Sequence, residues 1–334
     1  MNAPLNLEPQ RTLVQGDGVR LATYQWGNAK GPVLLLVHGY PDNHRVWLPL
    51  VRELAADYRI IAYDVRGAGD SEAPRRVRDY RLVHLANDLE AVIRAHSPDR
   101  PVHLVAHDWG SIQSWEAVTD PRFEPLLTSY TSLSGPCLDH VGHWMRARFG
   151  RLAPRGWLQA LGQLVSSWYI AFFQTPWLPE LCWRLGLARA WPAVMRQMER
   201  IREPERNPHQ LADGQHGVKL YRANFMPRLF AARQRPTRVP VQLVVQTRDR
   251  YVRPQLFDGL ERWAPDLLRR EVDAGHWQLL ARPGRLAAWL RAFVEAKEHD
   301  AGHAAPLAGE GSDPIAPPAT QDKKTAQVGE DVGR

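Results

Sequence analysis

Asp108 carries the strongest chemical signature in this chain of 334 residues. It stands between an apolar, β-branched run (102–105) and a run compatible with a helix (111–118), and Ala106 and Gly110 lie two positions to either side. This pattern is typical of a nucleophile elbow, a strand-to-helix turn so sharp that only small side chains fit beside the residue at its tip. Serine is the commonest residue at such a tip. A carboxylate there predicts a nucleophile that forms an ester with its substrate.

Two residues that could complete a catalytic triad follow late in the chain. Asp249 comes after the apolar run 241–246, and His276 lies in the short segment 274–277. The chain order nucleophile, acid, histidine is that of a triad in which the acid orients the histidine and the histidine activates water. Asp249 is preferred as the acid because it follows a strand signal at the place that this chain order gives the acid, whereas Asp64 is better explained by a structural role in its own Gly-rich loop and Asp139 lies a few residues past its strand end. The other acidic residues in predicted loops are Asp64, Asp70, Asp139 and Asp273.

The elements that must position these residues alternate between strand and helix. Strands are predicted at 12–15, 19–26, 33–37, 59–63, 102–106, 127–133, 239–246 and 268–272. Helices are predicted at 44–56, 82–96, 111–120, 254–263 and 276–297. Continuous apolar runs such as 33–37 suit strands buried on both faces of a parallel sheet. The sequence therefore predicts an α/β fold with a mostly parallel sheet, whose ligands bind at the carboxyl edge of the strands.

The strand rhythm breaks between residues 137 and 237, where only helical periodicity rich in Trp, Leu and Arg is seen. We expect a core formed by residues 1–136 and 238–297, with residues 137–237 inserted after the sixth strand as a helical cap. Residues 298–334 contain no aromatic residue and are predicted to be a disordered tail. The cap tryptophans are expected to pack internally rather than to form a membrane-interface belt, and some of them could line an apolar tunnel; they are Trp144, Trp157, Trp168, Trp177, Trp183 and Trp191.

The charge of the chain does not indicate a nucleic-acid partner. Its formal net charge is +7 and its pI about 9.6, but 38 of the 43 basic residues are arginines that are spread along the chain. No basic stripe with interleaved aromatic residues, which would track a phosphate backbone, is present in the sequence. Solvated surface explains these arginines better than a binding site for nucleic acid.

Cysteine usage and hydropathy predict the compartment. Cys137 and Cys182 have neither metal-ligand spacing nor a disulfide framework, so no metal site is expected. Residues 1–10 lack the cationic start and apolar core of a signal peptide, and no uninterrupted apolar run approaches the ~20 residues of a membrane span. We expect a cytoplasmic protein without stable membrane insertion; the sequence leaves homo-oligomers open.

Residues 12–297 resemble the α/β-hydrolase-fold epoxide hydrolases, with haloalkane dehalogenases as close relatives. The HGxP loop of that family matches residues 38–41, and its DxRGxGxS loop matches residues 64–71. The aspartate elbow matches 106–111, including the tryptophan after the nucleophile. In the cap, residues 169–176 and 220–225 are similar to the family segments that each begin near a ring-opening tyrosine.

The resemblance implies a role for each matched residue. Asp108 would attack an epoxide, Tyr169 and Tyr221 would donate to the alkoxide, and His276, oriented by Asp249, would activate water. Position alone would favour core packing for both tyrosines, because each shares a helical face with apolar residues. The backbone N–H groups of Tyr40 and Trp109 would form the oxyanion hole. The other residues of the HGxP loop would be structural, namely His38, Gly39 and Pro41. The resemblance also implies a cis peptide bond between Tyr40 and Pro41.

The expected activity is addition of water to a small apolar epoxide to give a vicinal diol, without a metal or organic cofactor. The nearest alternative is a haloalkane dehalogenase, which would cradle a halide with Trp109 and a second donor where Tyr40 stands. A fluoroacetate dehalogenase fits less well, because it typically carries arginine after the nucleophile. A third alternative is a non-catalytic binding protein on the same scaffold. The hydrolase portion also resembles that of bacterial fusions with a short-chain dehydrogenase, but residues 298–334 contain no GxGxxG after a strand.

Overall fold

The computed structural model of the protein describes residues 8–150 and 154–304. One sheet of eight strands runs through it, in the order β1-β2-β4-β3-β5-β6-β7-β8. β2 is antiparallel to β1 and to β4, and all other neighbours are parallel. The strands are β1 (Gln10–Gln15), β2 (Arg20–Gly27), β3 (Val33–Val37), β4 (Arg59–Tyr63), β5 (Val102–His107), β6 (Leu127–Leu133), β7 (Val241–Gln246) and β8 (Leu267–Val272).

Helices cover both faces of this sheet. The helices of the core are α1 (Leu48–Leu54), α2 (Leu82–His96) and α3 (Trp109–Val118) before the insertion, and α10 (Gln278–Ala281) and α11 (Gly284–Ala304) at the end. Every residue of β3 is buried, and its side chains alternate between two apolar clusters, Leu35 facing one and Leu34 and Leu36 the other. The first cluster contains α2 and α3, and the second contains α1 and α11. The predicted α/β architecture with a mostly parallel sheet is confirmed.

All regular secondary structure described between β6 and β7 is helical, which confirms a helical insertion after the sixth strand. Its helices, numbered in chain order with those of the core, are α4 (Leu138–Phe149), α5 (Pro154–Ser166), α6 (Trp168–Gln174), α7 (Leu178–Cys182), α8 (Ala188–Met198) and α9 (Gln210–Phe230). A π-helical turn, Trp183–Leu187, joins α7 to α8. We keep 137 and 237 as the proposed limits of the cap.

Buried hydrogen bonds tie α9 of the cap to the core. The Asn224 side chain accepts from the backbone N–H of Leu82 at 2.9 Å and donates to the Tyr80 carbonyl oxygen at 2.9 Å. A buried amide that satisfies two backbone groups fixes orientation as well as contact, because each bond has a preferred direction. Among the described helices, none combines the length and the apolarity needed to cross a bilayer.

The DxRGxGxS loop after β4 is held by its own polar side chains. Asp64 accepts from the backbone N–H groups of His44 and Asp70, at 2.8 and 2.9 Å. Arg66 forms a buried ion pair with Asp88 at 2.7 Å. The Asp64 carboxylate is therefore occupied by hydrogen bonds that hold its own loop, as expected of a structural acid rather than the triad acid.

Two predicted helices are corrected by the structure. The helix predicted at 254–263 is wrong: two short 3₁₀ turns, Pro254–Phe257 and Leu260–Arg262, flank Gly259, whose φ of +80° no regular helix accommodates. The helix predicted at 276–297 is divided, because Pro283 lacks the N–H that would continue α10 and disfavours helical geometry in the residue before it.

The first and last helical segments also differ from prediction. The segment predicted at 44–56 starts as a 3₁₀ turn, His44–Trp47, before α1. At the other end α11 continues to Ala304, so residues 298–304 of the predicted tail are helical. Glu298 in this extension lies 2.9 Å from His103 Nε2, which anchors it to the sheet. The rest of the predicted disordered tail, 305–334, lies outside the described residues.

Candidate active site

Asp108 occupies a strained turn between β5 and α3. Its φ of +52° and ψ of −124° are rarely adopted by a residue with a side chain, and such strain is found where a surrounding fold holds a functional group in place. A Cβ on Gly110 would collide with the carbonyl oxygen of Val37, so only glycine allows α3 to begin this close to β3. The close approach of α3 to β3 therefore explains why glycine is required at this position of the predicted elbow.

Each oxygen of the Asp108 carboxylate faces a different partner. Oδ1 accepts a hydrogen bond from the backbone N–H of Tyr40 at 2.7 Å, and Oδ2 lies 3.4 Å from His276 Nε2. Gly39 is required beside this carboxylate, because a Cβ there would overlap Asp108 Oδ1. The peptide bond between Tyr40 and Pro41 is cis, as the resemblance implies. The HGxP loop thus aims a backbone donor at the nucleophile.

His276 and Asp249 complete the arrangement from two neighbouring strand ends. His276 Nδ1 lies 2.8 Å from Asp249 Oδ2, and both side chains are almost fully buried. The other carboxylate oxygen of Asp249 accepts from the backbone N–H groups of Tyr251 and Val252, at 2.8 and 3.0 Å. Asp249 is therefore fixed on both sides, and it in turn fixes the imidazole ring. The structure brings together the three residues of the predicted triad.

The charges of this cluster shift one another's pKa values. Burial alone would lower the pKa of His276, but the negative charges of Asp249 and Asp108 together raise it well above its ordinary value. Burial acts to raise the pKa of Asp249, yet His276 and the two backbone donors lower it below its ordinary value. The resting site thus favours an imidazolium between two carboxylates.

The two predicted cap tyrosines lie side by side next to the triad. Tyr169 on α6 and Tyr221 on α9 have ring centroids 6.0 Å apart. Tyr221 packs against the Trp109 ring at 4.9 Å, and Tyr169 packs against Tyr251 at 5.4 Å. Burial and the charge of Asp108 raise the pKa of both tyrosines well above 10, so their hydroxyls stay protonated and available as donors.

The side chain of Tyr40 has a structural task that the sequence did not indicate. Its hydroxyl donates to the Gly214 carbonyl oxygen at 3.0 Å and accepts from Trp183 Nε1 at 2.7 Å. Both partners belong to the cap, so Tyr40 joins the cap to the loop that carries the backbone donor. His38 Nε2 accepts from the Val65 N–H at 2.9 Å and joins the same loop to β4.

Three further residues support the histidine loop, and sequence reasoning missed them. Gln246, at the end of β7, donates to the His276 carbonyl oxygen at 2.7 Å. The buried cap residue Glu199 accepts from the Trp277 N–H at 3.2 Å, and Asp42 accepts from the Trp277 indole at 2.7 Å. The signal that could have identified Gln246 is its polar side chain at the end of a mostly apolar strand. Neither Glu199 nor Asp42 lies in a pattern that marks it.

A cavity of about 970 Å³ lies between the core and the cap; Asp42 and Trp277 line it, whereas the triad residues and the two cap tyrosines do not. Trp183, Trp191 and Trp277 line its apolar part. Asp42 also lines it, and burial raises the pKa of Asp42 to about 7 against the opposing hydrogen bond from Trp277. Within 8–150 and 154–304, no group of three His, Cys, Asp or Glu side chains has an arrangement that could hold a metal ion.

Comparison with known proteins identifies the fold family of the chain. Residues 32–283 match the family model described as alpha/beta hydrolase fold. The chain is 38% identical over 301 residues to the "Probable oxidoreductase EphD" of Mycobacterium tuberculosis, covering 87% of this chain but 50% of that protein. It is 26% identical over 295 residues to Epoxide hydrolase 3 of Xenopus tropicalis, covering 84% of this chain and 76% of that one. The chain thus spans about half the length of its EphD relative.

Solved structures support the fold. An epoxide hydrolase from Bacillus megaterium, crystallised with an inhibitor, superposes with a TM-score of 0.71 at 20% identity, over 85% of this chain and all of that one. A Vigna radiata epoxide hydrolase superposes with a TM-score of 0.67 at 23% identity, over 86% of this chain and 99% of that one. At these identities the likeness shows the fold alone.

We expect the substitution Asp108→Asn to lower the pKa of His276, because it removes one of the two negative charges that favour the imidazolium. Titration of the histidine side chains by NMR measures this directly. Asp273→Asn is the matched control, since Asp273 is an exposed acid on the same loop that pairs with Arg248. Equal His276 titration in Asp108→Asn and in the control would contradict the described electrostatics.

Proposed function

The chain belongs to the α/β-hydrolase fold family, and from this premise we propose that it adds water to an epoxide to give a vicinal diol through an ester on Asp108. The observation that carries the proposal is a carboxylate at the elbow that faces His276 on one side and lies near two cap tyrosines on the other. The name of the Xenopus relative supports the same reaction class. The proposal concerns the segment that this chain shares with those relatives.

The two oxygens of Asp108 take different parts in the proposed reaction. Oδ2 attacks an epoxide carbon and the carbon–oxygen bond of the ring breaks, so that the electron pair moves to the ring oxygen. Oδ1, which accepts from the Tyr40 N–H, becomes the carbonyl oxygen of the ester. When water later adds to that carbonyl, negative charge develops on the oxygen that this donor already contacts, joined by the N–H of Trp109 at the start of α3.

Tyr169 and Tyr221 supply the proton for the opened ring. Their pKa values are raised by burial and by the charge of Asp108, and ester formation removes that charge. The hydroxyls therefore become better acids as the alkoxide develops, which is when a proton is required. The tyrosine that gives up its proton regains one from the imidazolium of His276 before water attacks.

The same loss of charge turns His276 into a base. Asp249 and Asp108 both raise its pKa in the resting site, and once Asp108 is esterified only Asp249 does so. The imidazolium passes its proton to the tyrosinate that ring opening leaves, so Nε2 is free to accept a proton from water while Nδ1 stays bound to Asp249 at 2.8 Å. Water attacks the ester carbonyl and the ester bond breaks; one proton of the water restores the imidazolium and the other ends on the diol.

One observation favours the dehalogenase alternative. The indole N–H of Trp109 is buried and, among the described residues, makes no hydrogen bond of good geometry, although the Tyr221 hydroxyl is close enough to interact with it; a departing halide could accept from this N–H. The second donor required in the HGxP loop has no counterpart, because the Tyr40 hydroxyl donates to Gly214. A pair of tyrosines is also unnecessary for releasing a halide. We therefore rank epoxide opening first.

Incubation of the full chain with styrene oxide and trans-stilbene oxide should yield the corresponding diols, measured by chromatography. Parallel reactions with bromoalkanes should release little bromide. Asp108→Ala is the control for hydrolysis that does not depend on the site. Bromide release without diol would establish the dehalogenase in place of the epoxide hydrolase.

The variant His276→Gln should accumulate the ester, because the nucleophile remains while the base that hydrolyses the ester is lost. Intact-protein mass spectrometry after incubation with a substrate of the native chain should show a gain of one substrate mass, and peptide mapping should place it on Asp108. The double variant Asp108→Asn with His276→Gln should gain no mass. An unmodified His276→Gln protein would argue for direct attack by water.

Replacing both cap tyrosines, Tyr169→Phe with Tyr221→Phe, should slow diol formation by about 10²–10⁴-fold, the usual contribution of a general acid. Circular dichroism and thermal unfolding should stay close to the native chain, because the rings remain. Tyr58→Phe is the matched control, since Tyr58 is a buried tyrosine of the core cluster on the other face of the sheet. Full activity in the double variant would remove both tyrosines from the mechanism.

A further inference from the structure

The outer surface of the cap carries large apolar side chains that the active site does not use. Among the described residues, fifteen of the nineteen most exposed large apolar side chains lie between residues 137 and 237. We call six of them the cap ridge: Leu158, Leu161, Val165, Trp168, Trp177 and Leu185. Trp177 is 82% exposed, Leu185 76% and Val165 70%. Exposed large apolar side chains concentrated in one part of a protein mark an interaction site.

The orientation of α5 shows that this exposure is systematic. Leu158, Leu161 and Val165 follow one another at helical spacing and form a stripe that faces solvent, while Ala160 and Gln163 are buried against the rest of the protein. An ordinary surface helix turns its apolar stripe inward. The other ridge residues lie on or beside neighbouring elements, since α6 contacts α5 and α7 contacts α6.

The expectation that the cap tryptophans pack internally or line a tunnel is therefore wrong for two of them, Trp168 and Trp177. Trp144 and Trp183 are buried and Trp191 is partly buried, as expected. Trp168 and Trp177 are mostly exposed, at opposite ends of the α6 segment. Tryptophan is the side chain that best suits the boundary between water and lipid, because its large ring is apolar and its N–H is polar.

The cap also carries the positive charge of the protein. Residues 137–237 contain fifteen Lys and Arg against six Asp and Glu, a net charge of +9, whereas the whole chain has +7 and the remainder therefore −2. Three of these arginines, Arg184, Arg189 and Arg196, line the cavity on its cap side, and within the described ranges none of them forms an ion pair. Arg184 and Gly186 flank Leu185 of the ridge, so apolar and basic side chains meet at the cavity.

We propose that the cap ridge docks on the surface of an anionic lipid bilayer. Its apolar side chains enter the interfacial layer, and the neighbouring arginines contact lipid phosphates. This contact is peripheral, since none of the described helices could span a membrane. It would also bring the cavity beside Arg184 against the lipid, so that apolar molecules reach the cavity from the bilayer.

Charge complementarity favours a bilayer over the other occupants of such a surface. A second copy of the chain would place a cap of charge +9 against another of the same sign, which repels at close range. A helix with an apolar stripe, tryptophan and a basic surround has the composition of an interfacial anchor. The proposal rests on surface chemistry alone and does not depend on the reaction at Asp108.

Co-sedimentation of the full chain with lipid vesicles tests the proposal. The native chain should bind vesicles that contain about a third phosphatidylglycerol and should bind pure phosphatidylcholine at least about tenfold more weakly. Added salt should release it from the anionic vesicles, because screening weakens the arginine–phosphate contacts. Tryptophan fluorescence should be quenched by lipids brominated on their acyl chains.

Two matched variants separate the ridge from general apolar exposure. Val165→Gln, Trp177→Asn and Leu185→Gln together should reduce binding at least about tenfold, since each removes apolar area from the interface. Asparagine is chosen at 177 because it tolerates the left-handed backbone there, where φ is +59°. The control, Leu13→Gln with Val83→Gln, removes exposed apolar side chains of the core and should bind as the native chain does.

Three results would overturn the proposal. The first is that the native chain does not sediment with anionic vesicles. The second is that the ridge and control variants lose binding equally. The third is that light scattering finds a dimer for the native chain and the control variant but a monomer for the ridge variant. The last result would assign the ridge to a second copy. Hydrolysis of a water-soluble epoxide without lipid should be equal in the native chain and the ridge variant, so this test and that of the proposed function fail separately.

Discussion

Two carboxylates are buried within reach of one imidazole, and most of the site can be understood as the means of keeping them there. An unpaired buried carboxylate is strongly destabilising, so each oxygen requires a donor. Asp249 has His276 and two backbone N–H groups. Asp108 has the Tyr40 N–H and the facing edge of His276. Removing charge from either carboxylate must therefore change the proton affinity of the ring between them.

This arrangement requires loops from distant parts of the chain to hold fixed positions. The backbone donor comes from the HGxP loop, and the Tyr40 hydroxyl fastens that loop to the cap through Gly214 and Trp183. The histidine loop is fastened to β7 by Gln246 and to the cap by Glu199. The cap is thus bonded to both loops that contact Asp108. It positions the site as well as covering it.

Prediction from the sequence succeeded where local chemistry decides the structure. Glycine and alanine around Asp108 indicated the elbow because no larger side chain fits there, and continuous apolar runs indicated the buried strands. It failed where several local preferences are nearly equal. The segment 254–263 has helical spacing, yet Gly259 adopts a positive φ and divides it into two turns. Contacts such as Glu199 with the Trp277 N–H join residues that are 78 positions apart, and no periodicity carries that information.

The cap shows a further limit, because periodicity defines an apolar stripe but not the direction in which the stripe faces. α5 has the apolar stripe of a helix that packs on a core, and from the periodicity alone this stripe is expected to be buried. In the structure the stripe faces solvent, whereas α6 next to it turns Tyr169 inward toward the triad. The direction depends on where the neighbouring helices attach, and those attachments are polar bonds such as that of Asn224 to Leu82. The charge pattern was a clue in the sequence: residues 137–237 carry a net charge of +9, and averaging the charge over the whole chain concealed this.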